Sequence, residues 1–158
     1  MKNTKVGLME SWDPKLYDAL LEARTYPPWE LDAYLALSQV LGGPVLELGA
    51  GTARVLGPLL QAGVDAYGLE LDAHMASAGR DRIRAMGRAD AHDRLFVGDM
   101  TEFSGSRRYN LVFLAYNTLE QVREEKALES LLQHVSMALA PGGELAFDLH
   151  MIDELHPS

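Results

Sequence analysis

The 158-residue chain contains no cysteine. A disulfide framework, a thiolate zinc site, an iron–sulfur cluster and a cysteine nucleophile are therefore all excluded. Basic residues are scarce too, with 14 Lys and Arg against 23 Asp and Glu, a formal charge of -9. That sign disfavours partners held by phosphate neutralisation, so neither nucleic acid nor an anionic membrane is expected. No stretch approaches the roughly 18 apolar residues of a membrane span, and Met1–Gly7 lacks the apolar centre of a signal peptide. These absences predict a cytoplasmic protein. A length of 158 residues, 47% of them hydrophobic, suits one domain over 1–158 that buries about 68–70% of its unfolded surface.

What is present is strongly punctuated. Pro27-Pro28, Gly42-Gly43-Pro44, Gly105 and Pro141-Gly142-Gly143 mark turns between segments too short to be domains. Asp13 before Pro14 predicts a helix with Leu16, Tyr17 and Leu20 on one face. Pro28 opens a second carrying Leu31, Tyr34, Leu35 and Leu41. Residues 1–42 thus read as a helical preface, 43–150 as an α/β core and 151–158 as a tail. In the core, strands are expected at 45–48, 66–69, 95–97, 111–115 and 144–149. Helical patterns run to about Ala62, from Ala73 to Gly87 and over 124–139. Near-continuous apolar strands alternating with helices predict a doubly wound, mainly parallel, Rossmann-like sheet covered on both faces.

The strongest local signal is Val45-Leu46-Glu47-Leu48-Gly49-Ala50-Gly51-Thr52-Ala53-Arg54, an apolar strand running into a glycine turn and a helix. Glycines there let the backbone approach a ligand, and a following helix offers unpaired N–H groups. A tight strand-to-helix turn needs glycine even without a ligand, so context decides. Glu70 follows the second strand, 21 positions beyond Gly49, where a doubly wound sheet places an acceptor for ribose hydroxyls. That spacing predicts a nucleoside site. A dinucleotide fingerprint would require glycine where Arg54 stands, which weakens a nicotinamide dehydrogenase reading without removing it.

The ordered set Glu47-x-Gly49-x-Gly51, Tyr67-Gly68-Leu69-Glu70-Leu71-Asp72, Val97-Gly98-Asp99-Met100, Tyr109–Phe113 and Leu139-Ala140-Pro141-Gly142-Gly143 resembles the class I S-adenosylmethionine-dependent methyltransferases, small-molecule type. The resemblance covers roughly residues 43–150. It implies the strand order 3-2-1-4-5, with S-adenosylmethionine as cofactor and S-adenosylhomocysteine as product. Gly49 and Gly51, with Ala50 between them, would meet the methionine and ribose portion. Glu47 would steady that turn, Glu70 would hold both ribose hydroxyls, Asp99 the adenine amino group and Met100 the ring through its backbone N–H. Leu71 and Met75 would flank the adenine, and Tyr116 would join this cofactor set. Ala53 departs from the family's usual third glycine. The family core normally has seven strands, whereas only eight residues follow His150, so the last two strands are expected to be missing.

Methyl transfer from a sulfonium is an in-line displacement governed by alignment, so no conspicuous triad is required. Ala115-Tyr116-Asn117 replaces the Asn/Asp-Pro-Pro-aromatic run of enzymes that methylate nucleic-acid amino groups. With the charge, this favours a small-molecule acceptor, amines among them. Tyr116 and Asn117, at a strand's carboxyl end, are candidates to face the methyl group; otherwise they cap the next helix. His150 is the candidate general base. Trp12, Tyr17, Tyr26 and Trp29 form either an aromatic lid over a sulfonium or a packing face. Arg24 is a candidate partner for the cofactor carboxylate. His74, His92, His134 and His156 show no metal-ligand spacing, so no metal is expected. The fifth strand is an open edge that invites homodimer pairing. The rival reading is a cofactor-binding or interaction module without turnover.

Overall fold

A computed structural model describes residues 13–23 and 29–149. Trp12, Arg24, Tyr26, His150 and His156 lie outside them. Asp13 begins helix α1 (Pro14–Ala23) by accepting the Lys15 N–H on its side chain at 2.8 Å. Helix α2 (Trp29–Leu41) ends at Gly42, whose φ of 60° provides the left-handed residue that commonly stops a helix. Both helices of the preface therefore stand where their caps and prolines predict.

Five strands follow: β1 (Val45–Leu48), β2 (Ala66–Glu70), β3 (Leu95–Val97), β4 (Tyr109–Leu114) and β5 (Leu139–Phe147). They pair in parallel in the order β3-β2-β1-β4-β5. The remaining helices are α3 (Leu56–Gln61), α4 (Ala73–Ala85) and α5 (Glu125–Ala138), with 3-10 turns at Ala89–Arg94 and Thr118–Gln121. Alternation along β1 divides the core: Val45 joins Leu56, Leu60, Ile83 and Phe113 beneath α2–α4, whereas Leu46 and Leu48 join Val112, Leu131 and Val135 beneath α5. This is the expected doubly wound sheet.

Three boundaries differ from expectation for local reasons. Helix α3 starts only at Leu56, because Gly51 and Ala53 hold φ of 53° and 60°, which no right-handed helix accommodates. Strand β4 starts earlier, at Tyr109. Strand β5 begins at Leu139 rather than at Glu144, since Leu139 already pairs with Tyr109 before the chain bulges through Pro141-Gly142-Gly143 and resumes at Leu111↔Glu144. Proline is tolerated there because, among the described residues, β5 lies at the edge of the sheet, where strands accept proline.

Candidate functional site

Parallel strands deliver their carboxyl ends to one side of the sheet, and the order reverses direction between β1 and β4, the position at which doubly wound folds open a crevice. A cavity of about 560 Å³ lies there, within the size range of small-molecule sites. Gly49, Gly51, Glu70, Leu71, Met75, Asp99, Met100, Tyr116 and Asn117 all line it, so nine of the residues singled out by sequence come together. Glu47 and Ala50 do not line it; both are buried, Glu47 in β1 and Ala50 within the turn itself.

The glycine turn is shaped from three sides. A Cβ on Gly49 would fall 2.4 Å from Thr118 Cγ2, so the first glycine admits the turn after β4. A Cβ on Gly51 would point toward Met75 Cε and Tyr17 Cε1, at 3.8 and 4.0 Å, and both residues line the cavity. The second glycine therefore keeps that wall free of side chain. Glu70 ties the turn to β2: its Oε2 accepts the Gly51 N–H at 2.8 Å and its Oε1 the Asp72 N–H at 2.9 Å. Burial raises the Glu70 carboxyl above its ordinary range, opposed by these two hydrogen bonds. Each carboxylate oxygen has two lone pairs, so both oxygens can accept a further donor. Asp72 then caps α4 through the N–H groups of His74 and Met75.

At the β3 end, Asp99 Oδ1 accepts from the Thr101 N–H and hydroxyl at 2.8 and 2.7 Å, which orients the carboxylate beside Met100. Across the cavity, Tyr116 and Asn117 hold φ of 56° and 54° although neither is glycine. Such residues cost roughly 1–2 kcal/mol each. The Asn117 N–H donates to Asp148, and the single Tyr116 N–H is shared between Asp148 and Glu30; a hydrogen bond to a charged acceptor contributes about 1.5–3 kcal/mol, so these two donors are enough to offset the strain. The strain is thereby held. Asn117 begins the 3-10 turn without a side-chain cap, so capping does not explain its presence.

Tyr17 lines the cavity, and burial pushes its hydroxyl up to about 12, against the pull of Arg54. It remains a neutral donor. Helix α1 is tied down beside it by Asp18, which accepts from Thr52 Oγ1 at 2.6 Å and pairs with Arg82 at 2.6 Å. Trp29, at 61% exposure, does not line the cavity. His74, His92 and His134 also stand away from it, and no group of three metal-ligating residues occurs among the described residues. The sequence reading missed Thr118, Gln121 and Arg123 on the cavity wall, and Glu30 and Asp148 behind it. No motif spacing marks them: Thr118, Gln121 and Arg123 simply follow Asn117 along the segment after β4, whereas Glu30 and Asp148 meet the site only through tertiary contact.

A family model described as a methyltransferase domain matches residues 46–145. YqeM of Bacillus subtilis (strain 168), which carries a provisional methyltransferase name, is 24% identical over 137 residues, 85% of this chain and 53% of that protein. This chain thus spans about half the length of the curated relatives it matches. Among solved structures, the glycopeptide N-methyltransferase MtfA complexed with S-adenosylmethionine is 31% identical, with a TM-score of 0.68 over 78% of this chain and 54% of MtfA. Streptomyces venezuelae DesVI shares the fold at a TM-score of 0.75 and 21% identity, over 92% of this chain and 61% of DesVI. The ordered motifs, the strand order and the family match converge, and the chain belongs to the class I S-adenosylmethionine-dependent methyltransferases.

Proposed function

We propose that the cavity binds S-adenosylmethionine and that the protein transfers its methyl group to a small-molecule acceptor, an amine in the first instance. The observation that carries this reading is Glu70, which holds the glycine turn through Oε2 and the start of α4 through Oε1 while lining the same cavity as Asp99. A carboxylate so placed accepts from two ribose hydroxyls, and Asp99 accepts from the adenine amino group. Met100 offers its N–H to the ring, while Leu71 and Met75 flank it. Gly49, Ala50 and Gly51 form the turn against the methionine portion, steadied by Glu47. The bound cofactor supplies an electrophilic methyl on sulfur.

The chain's own contribution is alignment and exclusion of water. Tyr116 and Asn117, from the turn after β4, border the side of the cavity proposed to receive the acceptor, while Tyr17 stands beside Gly51 and Met75. Among the described residues, Glu70, Asp72, Asp99 and Glu120 line the cavity against one cation, Arg123, a field that attracts an amine. The amine must lose its proton for its lone pair to attack the methyl carbon, and His150, outside the described residues, is the proposed acceptor of that proton. The N-methyltransferase name of MtfA supports the same choice. No helix among the described residues is long and apolar enough to cross a membrane. The outer edge of β5 is proposed to pair with a second copy; a strictly monomeric sedimentation profile at high concentration would overturn that.

Calorimetric titration with S-adenosylhomocysteine tests the site. Glu70→Ala is expected to weaken binding at least about tenfold, since a hydrogen bond to a charged group contributes about 1.5–3 kcal/mol. Equal affinity in the variant would remove Glu70 from the site. Saturable binding with no transfer to any amine, hydroxyl or carboxylate would leave a binding module in place of an enzyme.

A further inference from the structure

Two consecutive backbone N–H groups in a left-handed turn form a concave nest that accepts an anion. Tyr116 and Asn117 make such a nest, and its anion is supplied by the protein. Asp148, just beyond β5, spans it, with Oδ1 accepting the Tyr116 N–H at 2.8 Å and Oδ2 the Asn117 N–H at 3.0 Å. The Tyr34 hydroxyl of α2 donates to the same Oδ1 at 2.7 Å, with the Leu114 carbonyl oxygen 3.1 Å away. Glu30, also on α2, accepts the Tyr116 N–H on Oε1 at 3.0 Å and clasps Arg54 with both oxygens, at 3.0 and 2.9 Å. The Arg54 guanidinium lies 5.6 Å from the centre of the Tyr116 ring. The preface helix, the loop after β1 and the end of β5 thus converge on one two-residue turn.

We propose that Asp148 and Glu30 are positioning residues that, through this nest, hold the Tyr116–Asn117 wall against the point of methyl transfer. The inference rests on the cavity being the S-adenosylmethionine site. The turn is also closed by the Thr118 N–H and hydroxyl, which both donate to the Ala115 carbonyl, but the carboxylates are what fix the direction of its two N–H groups; without them the left-handed pair is free to shift, and a shift redirects both side chains. Glu70, Asp99 and Met100 belong to the ends of β2 and β3 on the other side of β1 and keep their places. Loss of the nest therefore separates the two ends of the ligand: adenosine recognition survives and recognition at the methyl position fails.

S-adenosylhomocysteine, which carries nothing at the methyl position, and sinefungin, which carries an amine there, read the two ends apart. In Asp148→Asn, S-adenosylhomocysteine affinity is expected to stay within about twofold while sinefungin weakens about tenfold, the effect of one lost polar contact. Equal losses for both ligands, or no loss for either, would overturn the proposal. Amide resonances of the ligand-free chain test the hold independently. Asp148→Asn moves both Tyr116 and Asn117, Glu30→Gln moves Tyr116 but not Asn117, and a uniform change across the sheet in either variant would assign a merely structural role. Should Asp148→Asn fail to fold, Tyr34→Phe removes one donor to Oδ1, and its larger shift must fall on Tyr116. If the unaltered chain binds neither ligand, the cofactor reading fails, and the amide pattern alone decides the nest.

Discussion

Glu47 carries a carboxyl group into the middle of the sheet, where it is 3% exposed and its Oε2 has no hydrogen-bond partner among the described residues. Burial pushes its carboxyl up to about 8; Arg54 and the Leu56 N–H pull downward, and Glu30 and Glu70 add to the rise. The folded chain thus keeps a proton that the unfolded chain releases above the ordinary value of 4.5. Its contribution to stability is complete below that value and is lost as pH climbs through about 8, at most about 1.4 kcal/mol per pH unit. Glu47→Gln keeps the shape without the titration. Urea unfolding between about pH 5 and pH 8 is expected to lose stability steadily in the parent and to show a flatter profile in the variant. A parallel decline in both would mean that Glu47 is ionised throughout.

Among the elements, α4 shows how packing serves the site. Gly79 stands where this helix crosses the glycine turn, and a Cβ there would lie 2.6 Å from Leu95 Cδ2, 3.1 Å from the Gly51 carbonyl oxygen and 3.2 Å from the Ala53 N. Alanine would gain about 1 kcal/mol of helix propensity on an exposed face. Here two of the three neighbours are backbone atoms of the turn, and overpacking costs about 1–3 kcal/mol. Gly79→Ala is therefore expected to destabilise the fold in chemical denaturation and, by displacing the Gly51 N–H from Glu70, to weaken S-adenosylhomocysteine binding; unchanged affinity would separate the helix contact from the site. Legibility in the sequence divides along the same line. The four-residue run Val45–Leu48, the glycine turn and Glu70 were readable because each depends on neighbours along the chain or on one βα unit. The late start of α3 was not, since it follows from Ala53 holding a conformation that its side chain disfavours. Glu30 and Asp148 were illegible for another reason: they reach Tyr116 across 86 and 32 residues of chain.

At the scale of the whole molecule, the cavity is the junction of several elements at the carboxyl end of the sheet. Its walls come from α1, from the turns after β1 and β2, from the start of α4 and from the segments after β3 and β4. A ligand there bridges both halves of the sheet, and any ligand bound by the folded state alone stabilises it by mass action, about 2.7 kcal/mol at a hundredfold excess over Kd. For a chain of this size each kcal/mol raises the melting temperature by roughly 2–4 °C. S-adenosylhomocysteine at that excess is accordingly expected to raise Tm by roughly 5–10 °C, the shift growing with the logarithm of concentration, while NAD leaves it unchanged. Glu70→Ala displaces the same curve to higher ligand concentration without changing its slope, because the variant lowers affinity and leaves the linkage intact. A shift with NAD equal to that with S-adenosylhomocysteine would return the glycine turn and Glu70 to a generic nucleotide site. A shift in neither would mean that the matched region needs more chain than these 158 residues to hold its ligand.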